Sequence, residues 1–297
     1  MTTPVHDTLT PTPDTMPDGV KQPAPVRKVI HFTAIVLMVA AVFQIIGAAA
    51  PEVLKLGVSV SQRSFETQHP LVPEGIAFSI WGLIYLWGLA AAIWAMRSGN
   101  THVSRFRFPL LCLSLIFVLN GVWALWVPFR GFDTTSILII AVSVATGIAG
   151  LVQLKGQAKT IQDMLFVVLP LSLVTGWVSA ALTVNITSAL VESGFAAFDP
   201  RVPMNSGLAL VVLLAFVMTV IWLTRNRFYA LPVIWALFWI ISAAVNRDQL
   251  PLMATLAGMG IGIILVELVA LSLIRRQPKG PASKVEARPS DTPLLDG

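Results

Sequence analysis

Apolar residues fall into eight long blocks along this chain, each close to the thickness of a bilayer and divided from the next by a polar break. The blocks cover residues 29–50, 76–96, 109–127, 134–154, 164–191, 208–223, 228–245 and 252–274. A hydrocarbon layer of roughly 30 Å takes about 20 helical residues to cross, and only a helix or a closed barrel satisfies its own backbone there. Barrel strands would alternate apolar and polar positions over about ten residues, whereas these blocks are apolar on every side. The pattern predicts an all-α fold: a polytopic helical membrane protein whose eight transmembrane helices form one bundle, with the lipid bilayer as its surroundings.

Composition sharpens this. Hydrophobic residues make up 56% of the chain and charged residues 12%, about half the soluble average of roughly 25%. The net charge of +5 does not point to nucleic acid, because the cations sit at span ends. Fifteen of the twenty Lys and Arg lie at one set of ends, and five (Lys55, Arg63, Arg130, Arg201 and Arg247) at the other. The positive-inside rule then places both termini in the cytoplasm, the membrane being read as a bacterial cytoplasmic one. The opening residues lack the apolar core of a signal peptide, so the first span is expected to insert uncleaved. Segments 1–28 and 275–297 are polar and proline-rich and are expected as disordered cytoplasmic tails.

The break at 51–74 is the longest between ordered blocks and carries Pro70 and Pro73, which stiffen the approach to the second span. It reads equally as a lid and as a surface excursion. Gly258 and Gly262 form a small-xxx-small pair in the last span. They are expected to pack inside the bundle, the alternative being a homodimer contact.

Polar side chains inside the blocks are few, so each is informative. Trp81 and Tyr85 are four apart on one face of the second span, and Asn120 and Trp123 three apart on one face of the third. Trp177 and Asn185 lie eight apart on the fifth, with small residues between them. An asparagine in hydrocarbon needs a hydrogen-bond partner and so should face the interior. Glu267 is the one carboxylate well inside a span, a candidate for proton coupling. Trp94 and Trp126 lie near span ends and read as interfacial anchors, and Trp235 and Trp239 as packing residues. Cys112 is the sole cysteine, and His6, His31, His69 and His102 form no metal-binding pair on a helix. With no triad, phosphate loop or dinucleotide fingerprint either, neither an enzyme nor a metal or cofactor is expected.

Pro73, Trp81, Ile84 and Tyr85, the third-span run LNGVWALWVPF with Asn120 and Trp123, and the fifth-span run GWVSAALTVN with Trp177 and Asn185 resemble the TspO/MBR family in order and spacing. These are tryptophan-rich sensory, or translocator, proteins. The resemblance covers residues 29–191 and implies a five-helix membrane domain, with 206–274 adding three helices beyond the family's usual five. It also implies a pocket covered by the first loop for a hydrophobic, porphyrin-like ligand, lined by Pro73, Trp81, Tyr85, Asn120, Trp123, Trp177 and Asn185. Two family features are missing: a tryptophan in the first loop and a tyrosine in the fifth span. A secondary transporter of another small substrate and a membrane enzyme of lipid or isoprenoid metabolism stand as the alternative functions.

Overall fold

The computed structural model describes residues 32–98, 100–195 and 203–276. The tails expected over 1–28 and beyond Arg276, and much of the break before the sixth span, lie outside the described residues. Among the described residues, eight helices are long and apolar enough to cross a membrane: α1 Phe32–Val53, α2 Gly75–Arg97, α3 Arg107–Arg130, α4 Thr134–Gln153, α5 Ile161–Glu192, α6 Met204–Thr224, α7 Arg227–Asn246 and α8 Pro251–Ile274. The protein is thus a multi-pass helical membrane protein.

Local chemistry sets the boundaries. α4 begins at a reciprocal cap, where the Asp133 side chain accepts from Ser136 N–H and the Ser136 hydroxyl accepts from Asp133 N–H. Thr160 and Asp163 do the same at the start of α5. α3 stops at Gly131, whose φ of 73° is open to glycine at little cost. Early in α5, Met164–Val168 form a π-helical turn before Pro170, with Leu169 N–H reaching back to Met164 O. Pro170 has no N–H for the next carbonyl, that of Leu165. Trp87 Nε1 donates to that carbonyl instead, at 2.7 Å.

The helices form two connected groups. α1 packs on α2 and α3, α3 on α4, α4 on α5, and α5 back on α2, closing a five-helix ring. α7 packs on α5, α6 on α4 and α5, and α8 on α6 and α7. α5 therefore belongs to both groups and is the most buried span, whereas α8 is the most exposed. The α1–α3 crossing is close: a Cβ on Gly47 would lie 2.8 Å from Gly121 O. Outward faces carry apolar residues such as Val39, Leu86, Leu138 and Val266, as lipid contact requires.

Two expectations change here. Gly260, not the Gly258–Gly262 pair, packs inside α8: a Cβ there would meet Leu214, while Gly262 faces open space and Gly258 only touches Ile241 at 4.0 Å. Spacing identified the small-residue pair but not which side of the helix the neighbours occupy. Trp94 and Trp126 do lie at span ends, yet each has a specific protein partner. Trp94 stacks on Phe166 at 5.7 Å, and Trp126 Nε1 donates to Asp133 at 3.0 Å.

Candidate functional site beneath the first loop

The α1–α2 connection folds down as a cover. Its short helix Val60–Glu66 is capped by Ser59, whose side chain accepts from Gln62 N–H. Val58 N–H donates to Pro128 O on α3 at 3.0 Å. Gln68 Nε2 donates to Asp248 Oδ1 at 3.2 Å, Arg247 donates to Val72 O at 2.8 Å, and Glu74 N–H donates to Trp239 O at 3.3 Å. Leu71 and Val72, near its end, are fully buried. The connection is a packed lid rather than a surface excursion, and α7 with its exit turn holds one side of it.

His69 is the lid's buried polar anchor. Its Nδ1 accepts Leu71 N–H at 3.3 Å and its Nε2 lies 3.1 Å from Ser188 Oγ on α5. Nδ1 is thereby an acceptor, which puts the proton on Nε2. Burial, helped by the nearby Arg247 charge, lowers its pKa to about 3, against the smaller opposing effects of Val184 and Asp248.

Two cavities lie below the lid. The first, about 220 Å³, sits between α1, α2 and α3 under Ser59, Val60 and Ser61. Trp81 and Tyr85 form its α2 wall, with ring centroids 5.6 Å apart and planes 20° from parallel. Asn120 and Trp123 form its α3 wall. Asn120 Nδ2 donates to Gln44 Oε1 at 3.3 Å, and the Tyr85 phenol lies against Asn120. Glu52 is the carboxylate at this cavity.

The second cavity, about 50 Å³, is almost wholly apolar and lies between α5, α6 and α7 below Pro73 and Leu71. Trp177 and Asn185 line it, facing Leu213, Val233 and Leu237. The indole N–H of Trp177 is buried without an acceptor among the described residues.

The residues expected to share one pocket therefore divide. Trp81, Tyr85 and Asn120 face the first cavity, Pro73, Trp177 and Asn185 the second, while Trp123 and Phe78 line both. The wall between them is connected. Trp81 meets Trp177 edge to face at 6.0 Å, and Trp123 Nε1 donates to Asn185 Oδ1 at 3.1 Å. Asn185 Nδ2 donates onward to Ser136 Oγ at 2.9 Å. Glu267 is on neither cavity; it is half-buried on α8 near Arg225, with Oε2 unpartnered among the described residues.

Gln44, Phe78, Ser136 and His69 were not singled out by sequence. Gln44 was within reach, as the one amide in the first apolar block, and the rule that located Asn120 applies to it. Ser136 reads as a helix cap and His69 as a loop residue, and only folding brings either to α5.

Among the described residues, no group of three or more His, Cys, Asp or Glu is placed to hold a metal. No curated protein and no solved structure matches the chain. A family model described as TSPO-like protein matches residues 29–270, which reaches through the five-helix ring and into the last span. With eight membrane-crossing helices and the Trp-Tyr-Asn wall beneath a lid, that match establishes that the chain belongs to the TSPO-like protein family.

Proposed function

We propose that this protein binds a flat, hydrophobic aromatic ligand of the tetrapyrrole kind in the cavity between α1, α2 and α3, as a receptor or carrier rather than as an enzyme. The observation that carries this reading is the Trp81–Tyr85 pair, stacked 5.6 Å apart and facing Asn120 and Trp123 across the cavity. Aromatic rings offer stacking area with polar edges, and Asn120 and Tyr85 supply hydrogen-bonding groups to the lining. At about 220 Å³ the cavity is smaller than the roughly 300–1,000 Å³ of most ligand sites. A macrocycle therefore enters only when the lid lifts. The excess of cations at the opposite helix ends supports a cytoplasmic placement of both termini, and so a lid on the far side of the membrane.

The test is a titration of intrinsic tryptophan fluorescence with protoporphyrin in purified, detergent-solubilised protein. Trp81→Ala is expected to weaken binding by about 1–3 kcal/mol, the scale of a lost buried aromatic contact. Trp222→Ala, at an exposed site where Arg225 covers the ring at 3.8 Å, should leave affinity unchanged. Equal losses from both variants would refute the assignment of the cavity.

A further inference from the structure

At the end of the bundle opposite the lid, a third cavity of about 100 Å³ opens between the α4–α5 connection and the α6–α7 turn. Its lining combines two kinds of side chain, apolar Leu151, Met164 and Val168 and the cations Lys155, Arg225 and Arg227. Lys155 Nζ donates to Leu223 O at 3.3 Å. The Arg225 guanidinium lies over Trp222 at 3.8 Å and that of Arg227 over Phe228 at 5.2 Å. Among the described residues, no carboxylate lies within ion-pair distance of the three cations. Glu267 is close enough to Arg225 to feel its charge, but it forms no ion pair with it.

Cations at the C-terminal ends of α4 and α6 complement those helix dipoles, but dipole pairing requires neither a cavity nor an apolar floor. Arg225 also occupies a left-handed backbone conformation, φ 55°, where glycine is the usual residue at a helix end. Three cations lining one half-apolar recess, without an ion-pair partner among the described residues, match the chemistry of a phosphate group attached to a hydrocarbon chain. Basic pockets between transmembrane helices on the cytoplasmic side are suited to anionic headgroups.

We infer that this recess binds one anionic phospholipid, its phosphate among Lys155, Arg225 and Arg227 and the start of its acyl chains along Leu151, Met164 and Val168. The lipid bridges the five-helix ring, through the α4–α5 connection, and the α6–α7 pair. The site is separate from the aromatic cavity and does not depend on what binds there.

The experiment is native mass spectrometry of the full chain, titrated separately with phosphatidylglycerol, phosphatidylcholine and glycerol 3-phosphate. One phosphatidylglycerol should be retained per chain in preference to phosphatidylcholine. Its affinity should fall about fivefold in Lys155→Gln or Arg227→Gln and about thirtyfold in the double variant. Lys155→Arg should restore it, and Arg130→Gln, a cation on the lid side, should leave it unchanged. Thermal melting of each lipid-free variant checks folding, and Lys155→Arg against Lys155→Gln still separates charge from fold if the double variant melts early. Equal retention of the two lipids, or undiminished phosphatidylglycerol affinity in the folded double variant, would overturn the inference. Binding of glycerol 3-phosphate as tightly as the lipid would overturn the lipid assignment in favour of a soluble phosphate.

Discussion

Acidification should loosen the lid through a single side chain, His69. A freely solvated imidazole takes up a proton near pH 6.5, whereas docked His69 does so only near 3. The docked state thus binds fewer protons than the undocked one throughout that interval. Its stability is complete above about pH 6.5, declines as pH falls below it, and stops declining once both forms are protonated near 3. At pH 5.0 the loss relative to pH 7.5 is about 2 kcal/mol, or roughly thirtyfold in the ratio of undocked to docked lid. The geometry accounts for the sign, because protonating Nδ1 removes the acceptor of Leu71 N–H and places a cation near Arg247. The charged groups facing His69 are Arg247 and Asp248, and stopping at pH 5.0 keeps carboxylate titration largely out of the window. Hydrogen exchange in nanodiscs reports the change at two lid amides, Val72 N–H, bonded to His69 O, and Glu74 N–H, bonded to Trp239 O. After correction for intrinsic rates, both should open more at pH 5.0 by about that factor, and His69→Gln should flatten the dependence. No pH effect in the parent, or an equal effect in His69→Gln, would refute the reasoning.

Three further outcomes follow from the packing. Gly176→Ala should destabilise the α5–α7 contact by about 1–3 kcal/mol or more in thermal unfolding, since its Cβ would lie 2.2 Å from the backbone oxygen of Tyr229; an unchanged melting temperature would mean the helices are not that close. Asn185→Ala leaves Trp123 Nε1 without its acceptor and removes one of the two donors to Ser136 Oγ, the Asp133 N–H remaining, and should cost about 1–2 kcal/mol by the same measurement. Ending the chain after Val191 removes Arg247, Asp248 and the Trp239 carbonyl, so the lid amides should exchange faster even at neutral pH if the shortened chain still inserts; unaltered protection would show that the five-helix ring holds the lid alone.

Membrane insertion, the number of spans and their approximate limits were legible in the sequence because they depend on local quantities: the length of an apolar run, the absence of charge within it, and the caps at its ends. The predicted 134–154 and the observed α4 differ by a single residue for that reason. The aromatic pairs were equally local. Trp81 and Tyr85 share a face through helical periodicity, and Asn120 had to find a partner in hydrocarbon. Periodicity does not specify which helix a face meets. The division into two cavities follows from Trp123 donating to Asn185 on α5 while Asn120 turns to Gln44 on α1, contacts separated by 62 and 76 residues. Where α7 sits follows from glycine at position 176, the one side chain small enough to admit the Tyr229 carbonyl against α5. His69 reads as an ordinary loop histidine until folding buries it between α5 and the Arg247–Asp248 turn. Hydrophobicity along the chain decides what enters the bilayer; close backbone approach and the pairing of a few buried polar groups decide which helices meet there and what space they leave between them.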